Sequence, residues 1–382
     1  MHIIRKLLIL VILIITIYIT YSLFQKNAEI KNQIAQEIKK TEFEGFSTEG
    51  YDHKMIVAEG YDHKMIVAEG YSDISAATEM SSLNDAAAAL GRGLNIQPIS
   101  KKYYKFPLKE FMVKSSYNSA IVGNSASENA IKFVIKRGCR LLDFEIYTRT
   151  NDDGVKKEYI SFSEDSEHKT IKTDLDLTID KAFETVIGNA FTSAPAPKDP
   201  LFIHLRIKNH STDAYERIAK SIKTNFGSKL YEKEVNADTE IGNLIDKVVM
   251  ILDVESAPNY ENYGNCDKNI PNCVPIRNVI NLRSGMIGLP KYSYIDYNTI
   301  VSVPTSYDDT GRTDIAMFFM MTPPQIGNMN APSIADLAKN PCQMVLIKYY
   351  NQTPILKEYE EVFNMCESSF CPMSVFIKKM RK

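Results

Sequence analysis

From Tyr103 onward, short apolar runs alternate with amphipathic helical patterns for roughly 270 residues, and this alternation restricts the possible folds more than any other feature of the chain. Phe111, Met112 and Val113 open a strand. Residues 127–137 fit a helix, with Ser127 as its cap and Ile131, Val134 and Ile135 on one face. Strands follow at residues 139–147, 201–207, 247–254 and 343–350, with helices at 180–191 and 215–225 between them, the second stopping at Gly227. A parallel sheet needs such crossover helices. The length suits an α/β fold of the closed (β/α)8 TIM-type barrel, although periodicity alone does not separate that barrel from an open doubly wound sheet.

The first hundred residues have a different texture. Residues 7–24 hold no charged side chain and are mostly Ile, Leu and Val, enough to cross a bilayer as one helix. Poor cleavage-site chemistry at Thr20, Tyr21 and Ser22 favours an uncleaved single-pass anchor over a signal peptide. Basic residues lie on both sides (Arg5 and Lys6 before, Lys26, Lys31, Lys39 and Lys40 after), so orientation stays open. Residues 43–100 form a linker containing a ten-residue tandem repeat, 51–60 copied as 61–70. Two copies are too few for a solenoid, and the stretch is read as a flexible tether. The expected organisation is an anchor over 1–25, a juxtamembrane helix and linker over 26–100, and a barrel over 103–382. A net charge of -2 excludes a bulk electrostatic partner such as nucleic acid.

Of six cysteines, Cys139 lies inside a strand pattern and reads as a buried thiol. Cys266, Cys273, Cys342, Cys366 and Cys371 lie late in the chain. Loop disulfides and free thiols both remain open for them.

Several ordered motifs then carry a family resemblance. Residues 107–118 read P-L-K-E-F-M-V-K-S-S-Y-N and 137–145 read R-G-C-R-L-L-D-F-E. Residues 200–210 read P-L-F-I-H-L-R-I-K-N-H, followed by a helix at 216–230, and 341–348 read P-C-Q-M-V-L-I-K. Together they resemble phosphatidylinositol-specific phospholipase C, whose corresponding runs read S-S-H-N, R-G-C-R-x-x-E-x-D, E-N-H and G-C-Q-M-V-A-L-N. The likeness divides the barrel into an X-like part (105–255), a poorly matching insert (256–335) and a Y-like end (336–382). It implies a phosphodiesterase-type barrel with its site at the carboxyl ends of the strands, one calcium ion and two histidines.

Carried over by position, the family's first histidine becomes Tyr117, a packing tyrosine or a neutral hydrogen-bond donor. Its second falls at His168 in S-E-D-S-E-H-K-T, by a thin local match. Asn118, Asp143 and Glu145 fall on calcium ligands. Asp143 and Glu145, two apart on a strand, share one face. The remaining ligand position holds Lys208, or Arg206 in a register shifted by two. An ammonium about 4 Å from a unit charge of the same sign costs roughly 4 kcal/mol at an effective dielectric near 20. Lys208 is therefore expected to bridge Asp143 and Glu145 in place of calcium, so that a resident Ca2+ is doubtful. His204 reads as a packed strand histidine, and His210 repeats a family position of unassigned role. The family's later phosphate-reading lysines become Ile251 and Asp253. Three functions follow: a membrane-tethered phosphodiesterase on an inositol phospholipid; a degenerate, weakly active or inactive barrel that binds a phospholipid head group; or a structural protein of a viral or cellular membrane. The changes at one site favour the second.

Overall fold

The computed structural model describes Ser81 and residues 94–380, apart from 152, 164–169, 174–176, 209–210, 264–272, 297–307, 309–310, 325–330 and 351–352. The chain divides into Met1–Ala68 and Glu69–Lys382, and every described residue belongs to the second unit. The expected anchor, His168 and His210 lie outside the described residues. Among the described residues no helix is long and apolar enough to cross a membrane.

Twelve strands are present among these residues: β1 (Phe111–Ser116), β2 (Ile121–Val122), β3 (Ser125–Ala126), β4 (Leu141–Thr150), β5 (Lys156–Ser161), β6 (Leu201–Ile207), β7 (Val248–Asp253), β8 (Leu282–Ser284), β9 (Lys291–Ser293), β10 (Met320–Thr322), β11 (Met344–Ile347) and β12 (Phe370–Pro372). The helices are α1 (Glu128–Lys136), α2 (Ile179–Ala190), α3 (Thr212–Phe226), α4 (Tyr260–Tyr263), α5 (Ile334–Lys339), α6 (Pro354–Cys366) and α7 (Met373–Met380). Five begin at a Ser or Thr whose side-chain oxygen accepts a backbone N–H of the first turn: Ser127, Thr178, Ser211, Ser333 and Thr353. The cap at Ser211 starts α3 three residues before the apolar pattern does.

Eight strands form one path, β8-β7-β6-β4-β1-β11-β10-β9. Every neighbouring pair along it is parallel. Read from β1 in both directions, the strands follow chain order around a ring whose two ends are β8 and β9. No pairing joins those ends among the described residues, so the barrel is near-closed. β5 folds back antiparallel on β4, and β12 runs antiparallel along the first half of β1.

The period of two along each strand sorts its side chains into two cores. Val113, Leu141, Phe202, Val249, Ile251, Leu282, Met320, Met344 and Leu346 fill the lumen. Their alternates, such as Met112, Leu142, Ile203, Met250, Met321 and Val345, pack with α1, α2, α3 and α6 outside. Burial on both faces explains why these strands read as continuous apolar runs rather than as alternating ones. The segment over 256–335, where the family resemblance fails, supplies three of the eight strands: β8, β9 and β10.

Candidate functional site

Toward the carboxyl ends of the strands the inward-facing positions change from apolar to ionic. In β4 the order is Leu141, Asp143, Glu145; in β6 it is Phe202, His204, Arg206; in β7 it is Ile251, Asp253; in β8 it is Leu282, Ser284. Register places Asp143 beside His204 and Glu145 beside Arg206. All of these side chains are buried. Charges buried this deeply are tolerated only when paired, and here the pairing is dense.

Arg206 is the hub. Its Nε donates to Asp143 Oδ1 at 3.0 Å and its Nη2 to Asp143 Oδ2 at 2.9 Å. Its Nη1 donates to Glu145 Oε2 at 2.5 Å, and its Nη2 also donates to Asn118 Oδ1. The guanidinium lies 4.4 Å from the ring centroid of Tyr117. Asp143 is filled from its other side. His204 Nδ1 stands 2.7 Å from Oδ1, while His204 Nε2 is 2.8 Å from Ser284 Oγ. The Asn118 backbone N–H donates to Oδ2 at 2.9 Å. Asn118 reaches that geometry in the left-handed region, φ 45°, which asparagine tolerates better than most residues. Tyr147 donates its hydroxyl to Glu145 Oε1.

The electrostatics follow from this arrangement. Burial works against the charge on Asp143, but Arg206 and His204 more than offset it and hold its carboxyl well below the usual range. Burial likewise opposes the charge on Arg206, yet Asp143, Tyr117 and Glu145 keep it firmly protonated. Burial pushes the Tyr117 phenol up, and the two carboxylates add to that against Arg206, so it is neutral near pH 7 and supplies no base. Lys208, one inward step beyond Arg206, is brought down to about 8 by burial and by the neighbouring guanidinium.

Arg206 therefore holds the bridging place that the sequence had given to Lys208. Strand register decides this: Arg206 is level with Glu145, whereas Lys208 lies past the end of β6 and lines the mouth. Asn118, Asp143, Glu145 and Arg206 converge on one point; Tyr117 covers it. The donor set does not fit calcium. Both oxygens of Asp143, both of Glu145 and the side-chain oxygen of Asn118 already accept hydrogen bonds, and a hard divalent cation needs those lone pairs. A divalent ion about 4 Å from the guanidinium would also face a repulsion of order 8 kcal/mol at an effective dielectric near 20. Among the described residues no cluster of three or more His, Cys, Asp or Glu side chains is arranged to hold a metal.

Above this cluster a cavity of about 340 Å³ opens at the strand ends, lined by Tyr117, Arg206, Lys208, Lys291 and Thr322 among others. Lys291 was absent from the sequence reading. It bridges Asp253 at 2.8 Å and Glu255 at 2.7 Å, an arrangement that depends on the stagger of β9 against β7 and leaves no local signal. Despite burial, the ammonium beside it keeps the Asp253 carboxyl low. A larger groove of about 630 Å³ lies outside the barrel between β5, α2 and α3. Its carboxylates are engaged, Glu158 with Arg217 at 2.7 Å and Glu184 with Lys181 at 3.1 Å, and it is remote from the strand ends where barrel sites are built.

Residues 104–250 match the family model described as phosphatidylinositol-specific phospholipase C, X domain. Among solved structures, PLC21 of S. officinalis aligns at TM-score 0.51 and 14% identity, over 73% of this chain and 38% of its own. PLC21 of L. pealei aligns at 0.52 and 14%, with the same coverages. This chain thus spans 38% of the length of those two proteins. A calcium-dependent phosphoinositol-specific phospholipase C from Pseudomonas sp. aligns over 68% of this chain and 95% of its own, at 7% identity and a TM-score of 0.44, too low to carry an argument. No curated protein sequence matches the chain. Residues 104–250 are thus similar to the X domain of phosphatidylinositol-specific phospholipase C, and they lie in a near-closed ring of parallel strands with an ionic mouth.

Proposed function

We propose that the barrel binds the phosphodiester head group of a phospholipid at its mouth without calcium, on a chain anchored in a membrane by residues 7–24, and that hydrolysis there is weak or lost. The observation that carries this reading is the position of Arg206, whose guanidinium occupies the oxygens of Asn118, Asp143 and Glu145 together. A fixed internal cation supplies positive charge next to the cavity at no cost in metal binding, and Lys208 adds a second. Tyr117 offers the site no base: it stands where the family's first histidine is expected and stays protonated. One ammonium, Lys291, set against two carboxylates, Asp253 and Glu255, leaves that side of the mouth net negative, which disfavours a head group with phosphates beyond the diester.

A second reading is favoured by the same Arg206. A guanidinium at a phosphodiester can stabilise a developing phosphoryl charge, which would make the protein a slow, calcium-independent phosphodiesterase. One experiment separates the two. Full-length protein is incubated with liposomes of radiolabelled phosphatidylinositol, with calcium or with chelator, and both bound protein and released inositol phosphate are measured. Calcium-independent binding with no release supports the first reading. Release with chelator present, abolished in Arg206→Gln, supports the second. Release that requires calcium would refute both.

A further inference from the structure

At the end of the barrel opposite the mouth, the chain leaving α6 is tied into a small hub. α6 ends at Cys366, and Glu367 follows in the left-handed region at φ 54°. Cys366 and Cys371 are joined by a disulfide. The four residues they enclose contact three separate parts of the molecule. The Glu367 carbonyl accepts the Gln97 N–H at 2.8 Å, and its carboxylate accepts Asn95 Nδ2 at 3.0 Å. The Ser369 carbonyl accepts the Lys114 N–H of β1 at 2.8 Å, and its hydroxyl donates to the Gly138 carbonyl at 2.6 Å. Phe370 enters the lumen and packs its ring against Phe111 and Phe202 at centroid distances of 6.4 and 6.2 Å. The hub thus holds both the plug that closes the base and the strap, residues 94–106, by which the chain enters the barrel.

The other cysteines complete a pattern. Cys273 is also disulfide-bonded. Cys139 and Cys342 are free, and at 0% and 1% exposure they are sealed in the outer core, where burial raises both thiols and leaves them inert. Three bonded cysteines, the part-exposed Cys273 and Cys366 and the buried Cys371, are the usage expected of a chain that folds in an oxidising compartment and not in the reducing cytosol.

We propose that the Cys366–Cys371 disulfide is a latch that locks plug and strap onto the base of the barrel, and that the barrel works on the oxidising side of its membrane. Latch formation removes one proton from each thiol and two electrons from the pair, creating the S–S bond. The electrons pass by thiol–disulfide exchange to the disulfide of an oxidised dithiol carrier protein, which leaves as its dithiol. Opening is the reverse exchange with a reduced dithiol. This proposal stands on the base of the barrel and is independent of the chemistry at the mouth.

The test uses the full-length chain expressed in eukaryotic cells. Differential alkylation after denaturation reads which cysteines are bonded, and occupancy of the acceptor triplets Asn209-His210-Ser211 and Asn351-Gln352-Thr353 reads whether the barrel met the glycosylation machinery. Expected are Cys366 and Cys371 protected from alkylator until reduction, with a glycan on at least one triplet. Free thiols at both positions, or two unmodified triplets, would overturn the assignment of compartment. For the latch, limited proteolysis within residues 94–106 is followed with and without reductant. Cleavage should rise about tenfold on reduction in the native protein, and the Cys366→Ser/Cys371→Ser variant should be cut at the fast rate whatever the reductant. Equal cleavage of reduced and oxidised native protein refutes the latch, and so does a variant that still responds to reductant. Should the variant fail to fold, mapping the reduced bond in the native protein at the onset of cleavage decides between Cys366–Cys371 and the Cys273 disulfide.

Discussion

At single residues the site turns on Arg206, and its replacement is the sharpest test of what it does. Arg206→Glu would set three carboxylates and the Asn118 amide around one point, the oxygen-rich set that a hard divalent cation requires. The variant should bind calcium measurably by calorimetry, while the native protein gives no binding heat; a native protein that binds calcium and loses it on Asp143→Ala would show that the guanidinium does not hold the site. Lys208 offers a pH test. Its folded value of about 8 lies below the roughly 10.4 of an unfolded lysine, so its charged form is disfavoured in the fold. The native state should therefore gain stability as pH rises from about 8 to about 10, a gain that Lys208→Met removes, and head-group binding should weaken over the same rise as the ammonium is lost. Denaturant melts and vesicle binding at each pH check both. Much of this site could be read from residue types in order: Asn118, Asp143 and Glu145 are brought together as their positions implied. The choice between Arg206 and Lys208 could not, because two inward-facing basic residues on one strand differ only by a step of register.

The elements depend on a few buried side chains that local pattern does not announce. Lys114 points out of β1 into the outer core at 0% exposure, 2.9 Å from Glu360 of α6, which also takes Arg137 at 2.6 Å. Glu360→Gln would leave Lys114 buried without its counter-charge and should cost about 3–5 kcal/mol by urea denaturation. Adding Lys114→Met should recover part of that loss; if the double variant is no more stable than the single one, the pair is not coupled. Phe370→Ala would open a cavity at the base of the lumen and should cost about 3–5 kcal/mol while leaving vesicle binding at the mouth intact. The start of α1 was legible, because Ser127 precedes its apolar period, whereas the cap at Ser211 starts α3 three residues ahead of its apolar pattern. β8, β9 and β10 were not, because three-residue strands are too short to display a period.

For the whole molecule, the ring of strands positions one ionic cluster whose neutrality is internal. Nothing in that cluster gains from an added divalent ion, so the melting temperature of the native protein should shift by less than about 1 °C between calcium and chelator. A stabilisation that grows with calcium concentration would contradict the donor count at Asp143 and Glu145. By itself the sequence determined the class of fold, through strands buried on both faces and separated by capped amphipathic helices, and it set Asn118, Asp143 and Glu145 on chain segments that end at one face of a barrel. Tertiary structure alone decided which cation meets those oxygens, that Lys291 reaches Asp253 and Glu255 across the barrel's stagger, and that Cys366 finds Cys371 beside the plug. The physical reason is that periodicity and capping are local, acting within a few residues, whereas register, shear and ion pairing are settled between strands far apart in the chain, where buried charges are tolerated only when they meet a counter-charge.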